Sequence, residues 1–182
     1  GWDFSSRWFD KPDDLSTIHT TRIVPVDLNA LVFHLEKTLA KANRIAKDDA
    51  AAKRFDAQAE TRKQAINRYL WDEKQGWYAD YDWQKASVRP QLTAAALFPL
   101  YLQAATDEHA SKTASAVQTQ LLKEGGLVTT TVNNGQQWDA PNGWAPLQWA
   151  AVEGLNHYGK QVLAKEIGMR FLQNVQTTYD KE

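Results

Sequence analysis

The chain of 182 residues contains no cysteine, which excludes disulfide bonds and thiolate metal sites. A glycine-rich loop with the spacing of a phosphate or dinucleotide site is also missing, and Gly125-Gly126 is interpreted as a helix stop. No metal and no cofactor are expected, because the histidines lack metal-ligand spacing to one another and to carboxylates: His19, His34, His109 and His157.

An excess of one charge and a long hydrophobic run are lacking as well. Lysine and arginine number 21, aspartate and glutamate number 22, and the formal net charge is −1. Nucleic acids and anionic membranes favour concentrated basic patches, so neither is an expected partner. The most apolar stretch, residues 92–105, contains Pro99 and is too short to span a bilayer.

The two ends of the sequence also bear on its organisation. The chain begins at Gly1 without an initiator methionine or a signal peptide, and it ends at Glu182 just after an amphipathic segment. We therefore expect it to be a piece of a longer protein.

Tryptophan, by contrast, is abundant. The chain has eight tryptophans, and six of them fall in segments interpreted as loops: Trp2, Trp8, Trp77, Trp83, Trp138 and Trp144. Tryptophans that only fill a core would more often lie on helix faces, so this placement favours a ligand cleft.

Apolar spacing predicts helices in three antiparallel pairs. Residues 27–47 place Leu28, Leu31, Leu35 and their periodic neighbours on one face, with Asp27 as the predicted N-cap. Residues 76–89 alternate enough to form a short β-hairpin, with Asp80 and Asp82 as solvated residues on it. Paired helices with long connecting loops indicate an all-α solenoid or closed toroid. The six predicted helices are: 27–47, 49–72, 92–105, 107–123, 144–158 and 160–178.

One loop combines rigid aromatics with amides and a carboxylate. In QWDAPNGWAPLQ, residues 137–148, Pro141 and Gly143 exclude a regular helix before Trp144. Flat indole faces beside hydroxyl-binding groups suit a sugar ring. A buried loop whose tryptophans fill core is the other interpretation, and the loop alone leaves both open. Its polar side chains are Gln137, Asp139, Asn142 and Gln148.

Asp3 is the candidate general acid. It lies between Trp2 and Phe4, and partial desolvation by these neighbours would raise its pKa and hold its proton at neutral pH. An exposed aspartate in a frayed end is the alternative. Asp139 has two open interpretations as well: it binds hydroxyls, or it braces its own loop.

Five stretches resemble the trehalases, the inverting glycoside hydrolases that split α,α-trehalose into two glucoses. Residues 137–148 are similar to a family signature, and GWDFSSRW, residues 1–8, is similar to the segment that carries the general acid. The resemblance extends over TTRIVPVDLNALVF, GWYADYD and QLTAAALFPLY, and is strongest to the periplasmic enzymes of enteric bacteria. It implies a periplasmic location, with the cytoplasm as the alternative.

The resemblance implies an (α/α)6 toroid, of which residues 1–182 form about half of one catalytic domain. It implies that Asp3 is the catalytic acid and that its segment meets the loop at one mouth of the toroid. The implied substrate-binding residues are Gly1, Trp2, Gln137, Trp138, Asp139, Asn142 and Trp144.

The sequence also departs from the family pattern. The upstream signature and the glutamate that serves as general base fall outside the chain, and Glu153 and Glu166 do not match that glutamate. We therefore expect this piece alone to be inactive and to pack against the rest of its protein, with trehalose as the substrate. Another toroidal α-glycosidase, or a non-catalytic carbohydrate-binding helical fragment, is the alternative.

Overall fold

The computed structural model describes residues 2–181, and its main elements are six α-helices within that range. None of the helices in this part of the chain is both long and apolar enough to cross a bilayer. The helices are α1 (Val26–Ile45), α2 (Asp49–Tyr69), α3 (Phe98–Tyr101), α4 (Asp107–Gln120), α5 (Ala145–His157) and α6 (Gln161–Tyr179).

The odd-numbered helices form an inner row. Helix α3 and the 3-10 turn that precedes it, Ala94–Leu97, pack against α1 on one side and α5 on the other. Helix α2 packs on α1, α6 packs on α5, and α4 packs on the 3-10 turn. This alternation of inner and outer helices is half of an (α/α)6 toroid, so the predicted fold class is confirmed.

The third helix is shorter than predicted. Residues 94–97 adopt a 3-10 turn and the α-helix runs only from Phe98 to Tyr101, with Pro99 in its first turn. Proline has no N–H to donate, so a regular helix cannot continue from residue 92 through Pro99. The turn and the helix are almost entirely buried, which explains the apolar run in the sequence.

The apolar face predicted for α1 is not the face that is buried within this chain. Leu28, Leu31 and Leu35 are about half exposed in this chain. The buried positions of α1 instead include Ala30 and Phe33. The amphipathic period was recognised correctly, but periodicity does not say which neighbour covers a stripe.

The start of α1 also differs from the prediction. Pro25 precedes the helix and Asp27 lies inside its first turn. The Val26 N–H is satisfied by a distant group, because it donates to Asp80 Oδ1 at 2.9 Å.

Short antiparallel ladders of two residues per strand join the helices. Strand β2 (Trp71–Asp72) pairs with β3 (Trp77–Tyr78), and β1 (Ile23–Val24) and β5 (Ser87–Val88) flank β4 (Tyr81–Asp82). The predicted hairpin is therefore confirmed only in its second half. The expectation that Asp80 and Asp82 are solvated was wrong, since both are buried.

A further ladder follows α4. Strands β6 (Leu122–Lys123) and β7 (Gly126–Leu127) form a tight hairpin, and Gly126 has a positive φ of 105°. The turn itself consists of Glu124 and Gly125, and Gly126 is the first residue of β7. The two glycines are therefore not the helix stop that the sequence indicated, because α4 has already ended at Gln120.

The inner helices α3 and α5 approach each other closely at Gly154. A β-carbon at Gly154 would lie 2.7 Å from the backbone nitrogen of Tyr101, a contact that backbone cannot relieve without moving. Gly168 on α6 offers a comparison, because a β-carbon there would be 3.6 Å from the Val152 side chain, an ordinary contact.

We expect Gly154→Ala to destabilise the protein and Gly168→Ala to leave it unchanged or more stable. Both substitutions gain up to about 1 kcal/mol of helix propensity, but only the first forces two inner helices apart. Thermal and urea unfolding measure the difference. Equal stability of the two variants would contradict the close contact between α3 and α5.

Candidate functional site

The N-terminal segment and the 137–148 loop meet, as the sequence led us to expect. The Trp138 N–H donates to the Phe4 carbonyl oxygen at 3.2 Å, and the Trp2 and Trp138 ring centroids are 5.3 Å apart. Asp3, between Trp2 and Phe4, therefore lies beside the tryptophan-rich loop. Gly1 falls outside the described residues.

Three tryptophans form a row at this junction. Trp138 stacks on Trp144 with centroids 4.5 Å apart and an angle of 11° between the rings, and the Trp2 ring is tilted by 36° to that of Trp138. Trp138 and Trp144 are half-buried, and Trp2 is buried. Rigid aromatic surfaces of this kind suit the apolar faces of sugar rings.

Asp139 braces the junction and does not face outward. It is fully buried, and its carboxylate accepts hydrogen bonds from Ser5 Oγ (3.0 Å), the Ser6 N–H (2.7 Å), Ser6 Oγ (2.8 Å) and Thr130 Oγ1 (2.8 Å). A sugar hydroxyl cannot reach oxygens that are covered and already bonded. The expectation that Asp139 contacts substrate directly is therefore corrected, and the bracing interpretation holds.

The other polar residues of the loop divide between surface and core. Gln137 and Asn142 are exposed, and the Asn142 amide donates to the Gln137 carbonyl at 3.2 Å. Gln148 is buried, and its amide pairs with both backbone groups of Leu127 at 2.9 and 2.7 Å. Gln148 thus supports the loop from behind, and Gln137 and Asn142 are free to face a ligand.

Asp3 is exposed, and the sequence argument for its desolvation was wrong for this chain. Phe4 is 63% exposed and does not enclose the carboxyl group. The backbone around Asp3 is instead unusual, because Trp2 (φ 68°) and Phe4 (φ 45°) both adopt the left-handed region without being glycine. Such conformations persist only where surrounding contacts hold them, and they cluster at functional sites.

A buried ionic cluster, missed in the sequence, supports the same segment. Arg7 is fully buried and forms two bonds to Asp27 (2.9 and 2.7 Å) and two to Asp80 (2.7 Å each). Its guanidinium carbon lies 4.5 Å from the Trp2 ring and 4.6 Å from the Trp8 ring. Burial alone would lower the pKa of Arg7, but the Asp80 and Asp27 carboxylates raise it.

Asp27 is affected in the opposite sense. Burial alone would raise the pKa of Asp27, but the charge and hydrogen bonds of Arg7 hold it below the ordinary value of 3.8. The sequence contained one usable signal for this cluster: an arginine followed directly by two aromatic residues in SSRWF, close to a candidate acid. Its partners lie 20 and 73 residues away, which no local pattern reveals.

No group of three or more histidine, aspartate or glutamate side chains within residues 2–181 is arranged to hold a metal ion. The exposed carboxyl of Asp3, the row of tryptophans and the two exposed amides are the chemically useful groups at the junction. They can donate or accept a proton and stack on a polar ring.

The helical pairs are those of an (α/α)6 toroid protein. The family model described as Trehalase matches residues 1–182, and the chain belongs to the trehalase family.

The relatives agree with this assignment. The chain is 62% identical over its whole length to the periplasmic trehalases of Salmonella paratyphi C and Salmonella agona. It spans about a third (32%) of the length of these curated relatives.

Solved structures match the fold. The neutral trehalase from Saccharomyces cerevisiae superposes with a TM-score of 0.76 at 28% identity, over 83% of this chain and 30% of that one. A mannosylglycerate hydrolase from Thermus thermophilus gives a TM-score of 0.73 at 21% identity, over 83% of this chain and 37% of that one. The second likeness concerns the fold alone.

We expect Asp27→Asn to lower the free energy of unfolding at pH 7. We also expect this free energy to fall less steeply in acid than it does in the wild type. A carboxyl with a depressed folded-state pKa contributes stability that is present above its unfolded pKa and is lost as pH falls through the folded value. Asn keeps the shape but loses the charge-assisted bonds to Arg7, worth about 1.5–3 kcal/mol. Because Asp27 protonates in acid, the gap from wild type should narrow below about pH 4.

Urea unfolding at pH 7, 5 and 3 measures this gap. Asp49→Asn, at an exposed position in the first turn of α2, is the control and should preserve the wild-type pH dependence. A gap between Asp27→Asn and wild type that stays constant from pH 7 to 3 would contradict a depressed pKa for Asp27.

Proposed function

We propose that this chain is part of an enzyme that hydrolyses α,α-trehalose to two glucoses with inversion, and that Asp3 is its general acid. The observation that carries the proposal is the exposed Asp3 carboxyl, held between the left-handed residues Trp2 and Phe4 and beside Trp138 and Trp144. Membership of the trehalase family supports the substrate and the class of reaction.

The proposed reaction needs two carboxyl groups on opposite sides of the scissile bond. Asp3 donates its proton to the glycosidic oxygen, which leaves as the hydroxyl of one glucose. A carboxylate about 6.5–9.5 Å away takes a proton from water, and this water attacks the anomeric carbon from the opposite face. That base is a glutamate outside this chain, so residues 1–182 alone should not hydrolyse trehalose.

The two glutamates of the last helices do not suit the role of base. Glu153 lies within α5, and Glu166 on α6 binds Arg170 at 2.6 Å. Among residues 2–181, no hydrogen bond joins either glutamate to the Asp3 segment or to the 137–148 loop. This supports a base contributed by the remainder of the protein.

The remaining site residues have separate proposed roles. The half-buried Trp138 and Trp144 provide apolar surfaces for the glucose rings, and Gln137 and Asn142 bind hydroxyls from exposed positions. Trp2 is expected from the sequence to contact substrate, but it is buried against Arg7 and Trp138, so its proposed role is to support the Trp138 ring. Gly1, outside the described residues, is proposed as a backbone contact on the strength of the family resemblance. Asp139 acts by bracing the loop against the Asp3 segment.

We also propose that residues 1–182 are part of one catalytic domain that the rest of the protein completes. Leu28, Leu31 and Leu35 are exposed along α1, and apolar side chains such as Met169 and Leu172 are exposed along α6. Exposed apolar stripes on the first and last helices are the surfaces that further helical pairs would cover. A periplasmic location is proposed from the names of the Salmonella relatives.

We expect Asp3→Asn in the complete enzyme to lower kcat by at least 10²-fold with little change in KM. General acid catalysis acts in the transition state and is typically worth about 10²–10⁴-fold. Asn keeps the shape of the side chain but cannot deliver the proton. Steady-state kinetics on trehalose measure both constants.

Two further variants make this result specific. Asp49→Asn, an exposed aspartate at the far end of the α1–α2 hairpin, should leave kcat unchanged. Trp138→Ala removes a surface used in ground and transition states alike, so much of its effect should appear in KM. An Asp3→Asn enzyme within fivefold of wild-type kcat would remove Asp3 from the mechanism.

The choice of substrate can be tested separately with a panel of glucosides. A trehalase should strongly prefer the 1,1-linked disaccharide over other α-glucosides. Comparable turnover of 1,4-linked glucosides would instead favour another toroidal α-glycosidase.

A further inference from the structure

The backbone on either side of Asp3 must be held in place by other groups. Trp2 and Phe4 both have positive φ values, 68° and 45°, which L-residues with side chains adopt only against a steric cost. Without supporting contacts this segment would relax to an extended form and move the Asp3 carboxyl. The contacts that oppose relaxation therefore determine where Asp3 points.

The C-terminal side of Asp3 is held by the loop. Trp138 N–H binds the Phe4 carbonyl, and the Asp139 carboxylate binds Ser5 and Ser6. These contacts belong to residues already assigned to the site. They leave the peptide that precedes Asp3 to be held by another group.

That group is Trp8. Its indole Nε1–H donates to the Trp2 carbonyl oxygen at 2.6 Å. The Trp2 carbonyl belongs to the peptide bond that leads into Asp3, so this bond fixes the plane from which the Asp3 side chain departs. Among residues 2–181, no other side chain donates a hydrogen bond to this carbonyl.

Trp8 is itself immobilised. The Arg7 guanidinium lies over both the Trp2 and the Trp8 ring, with its carbon 4.5 and 4.6 Å from their centroids. The position of Arg7 is fixed, because its buried guanidinium is bonded to both Asp27 and Asp80. The indole donor is therefore presented from a rigid base.

We propose that Trp8 is a positioning residue for the general acid. Its indole N–H holds the peptide bond between Trp2 and Asp3 in one orientation, and this orientation directs the Asp3 carboxyl toward the glycosidic oxygen. The inference rests on the proposed role of Asp3. Trp8 touches neither substrate nor reacting atoms, and acts through the backbone.

Trp8→Phe in the complete enzyme tests the role of the hydrogen bond from Trp8 to the Trp2 carbonyl. Phenylalanine keeps an aromatic ring against Arg7 but has no donor for the Trp2 carbonyl. Because a displacement of about 1 Å can cost roughly 10²-fold in rate, we expect kcat on trehalose to fall 10- to 100-fold, with KM within threefold.

Trp83→Phe is the matched control. Trp83 is exposed, and its indole N–H also donates to a backbone carbonyl, that of Thr21 at 3.2 Å. It lies outside the site, so its kcat should equal that of wild type. A similar loss of kcat in both variants would overturn the proposal, since loss of any indole–carbonyl bond would then suffice.

A second substrate separates aiming of the acid from general damage. In α-glucosyl fluoride the C–F bond breaks and fluoride leaves as an anion, so little protonation by Asp3 is needed. Trp8→Phe should therefore turn over the fluoride at a rate within threefold of wild type while its kcat on trehalose is reduced. Equal losses on both substrates would mean a structural defect and would overturn the proposal.

The double variant Asp3→Asn/Trp8→Phe separates the proposed role of Trp8 from the proposed role of Asp3 as general acid. If Trp8 acts through Asp3, adding Trp8→Phe to Asp3→Asn should change kcat less than twofold; a full additive loss would contradict it. A wild-type kcat in Asp3→Asn would instead overturn the proposed function. A large loss in Asp3→Asn with a wild-type Trp8→Phe would overturn only the role of Trp8.

Discussion

The described site depends on the ionic contacts that the buried guanidinium of Arg7 makes with two carboxylates. The guanidinium binds Asp27 at the start of α1 and Asp80 between β3 and β4, and it lies against Trp2 in the N-terminal segment. Three parts of the chain that are distant in sequence are thereby joined by one side chain. Removing a partner would leave buried charge uncompensated, which is far more costly than losing a surface ion pair.

Asp139 has the complementary role on the other side of Asp3. It ties the 137–148 loop to Ser5 and Ser6, and its full burial removes water as a competitor for those bonds. The strained backbone of Trp2 and Phe4 is held between these two supports. Because the neighbouring backbone is held on both sides, the Asp3 carboxyl can keep one orientation while its oxygens stay accessible to a ligand.

The sequence predicted which two segments meet at the candidate site. It did not predict the buried contacts of Arg7 and Asp139 that hold these segments. Trp138 and Trp144 were selected as candidate ligand surfaces because the loop combines them with proline, glycine and amides, while core filling remained the other interpretation. Asp139 was left between two roles, since a carboxylate in such a loop either faces ligand or braces backbone, and only its burial decides. Asp80 was expected in solvent, because its partner Arg7 lies 73 residues away.

By itself, the sequence determined the paired helices, the position of the aromatic loop and membership of the trehalase family, because these depend on local periodicity and on contiguous motifs. The tertiary structure decided which face of α1 is buried, where α3 begins, and which carboxylates are paired. Those outcomes depend on which residues, far apart in the chain, compete for the same buried space. Leu28 and Leu31 illustrate the limit: their spacing indicates an apolar stripe, but only neighbouring helices decide whether it is covered.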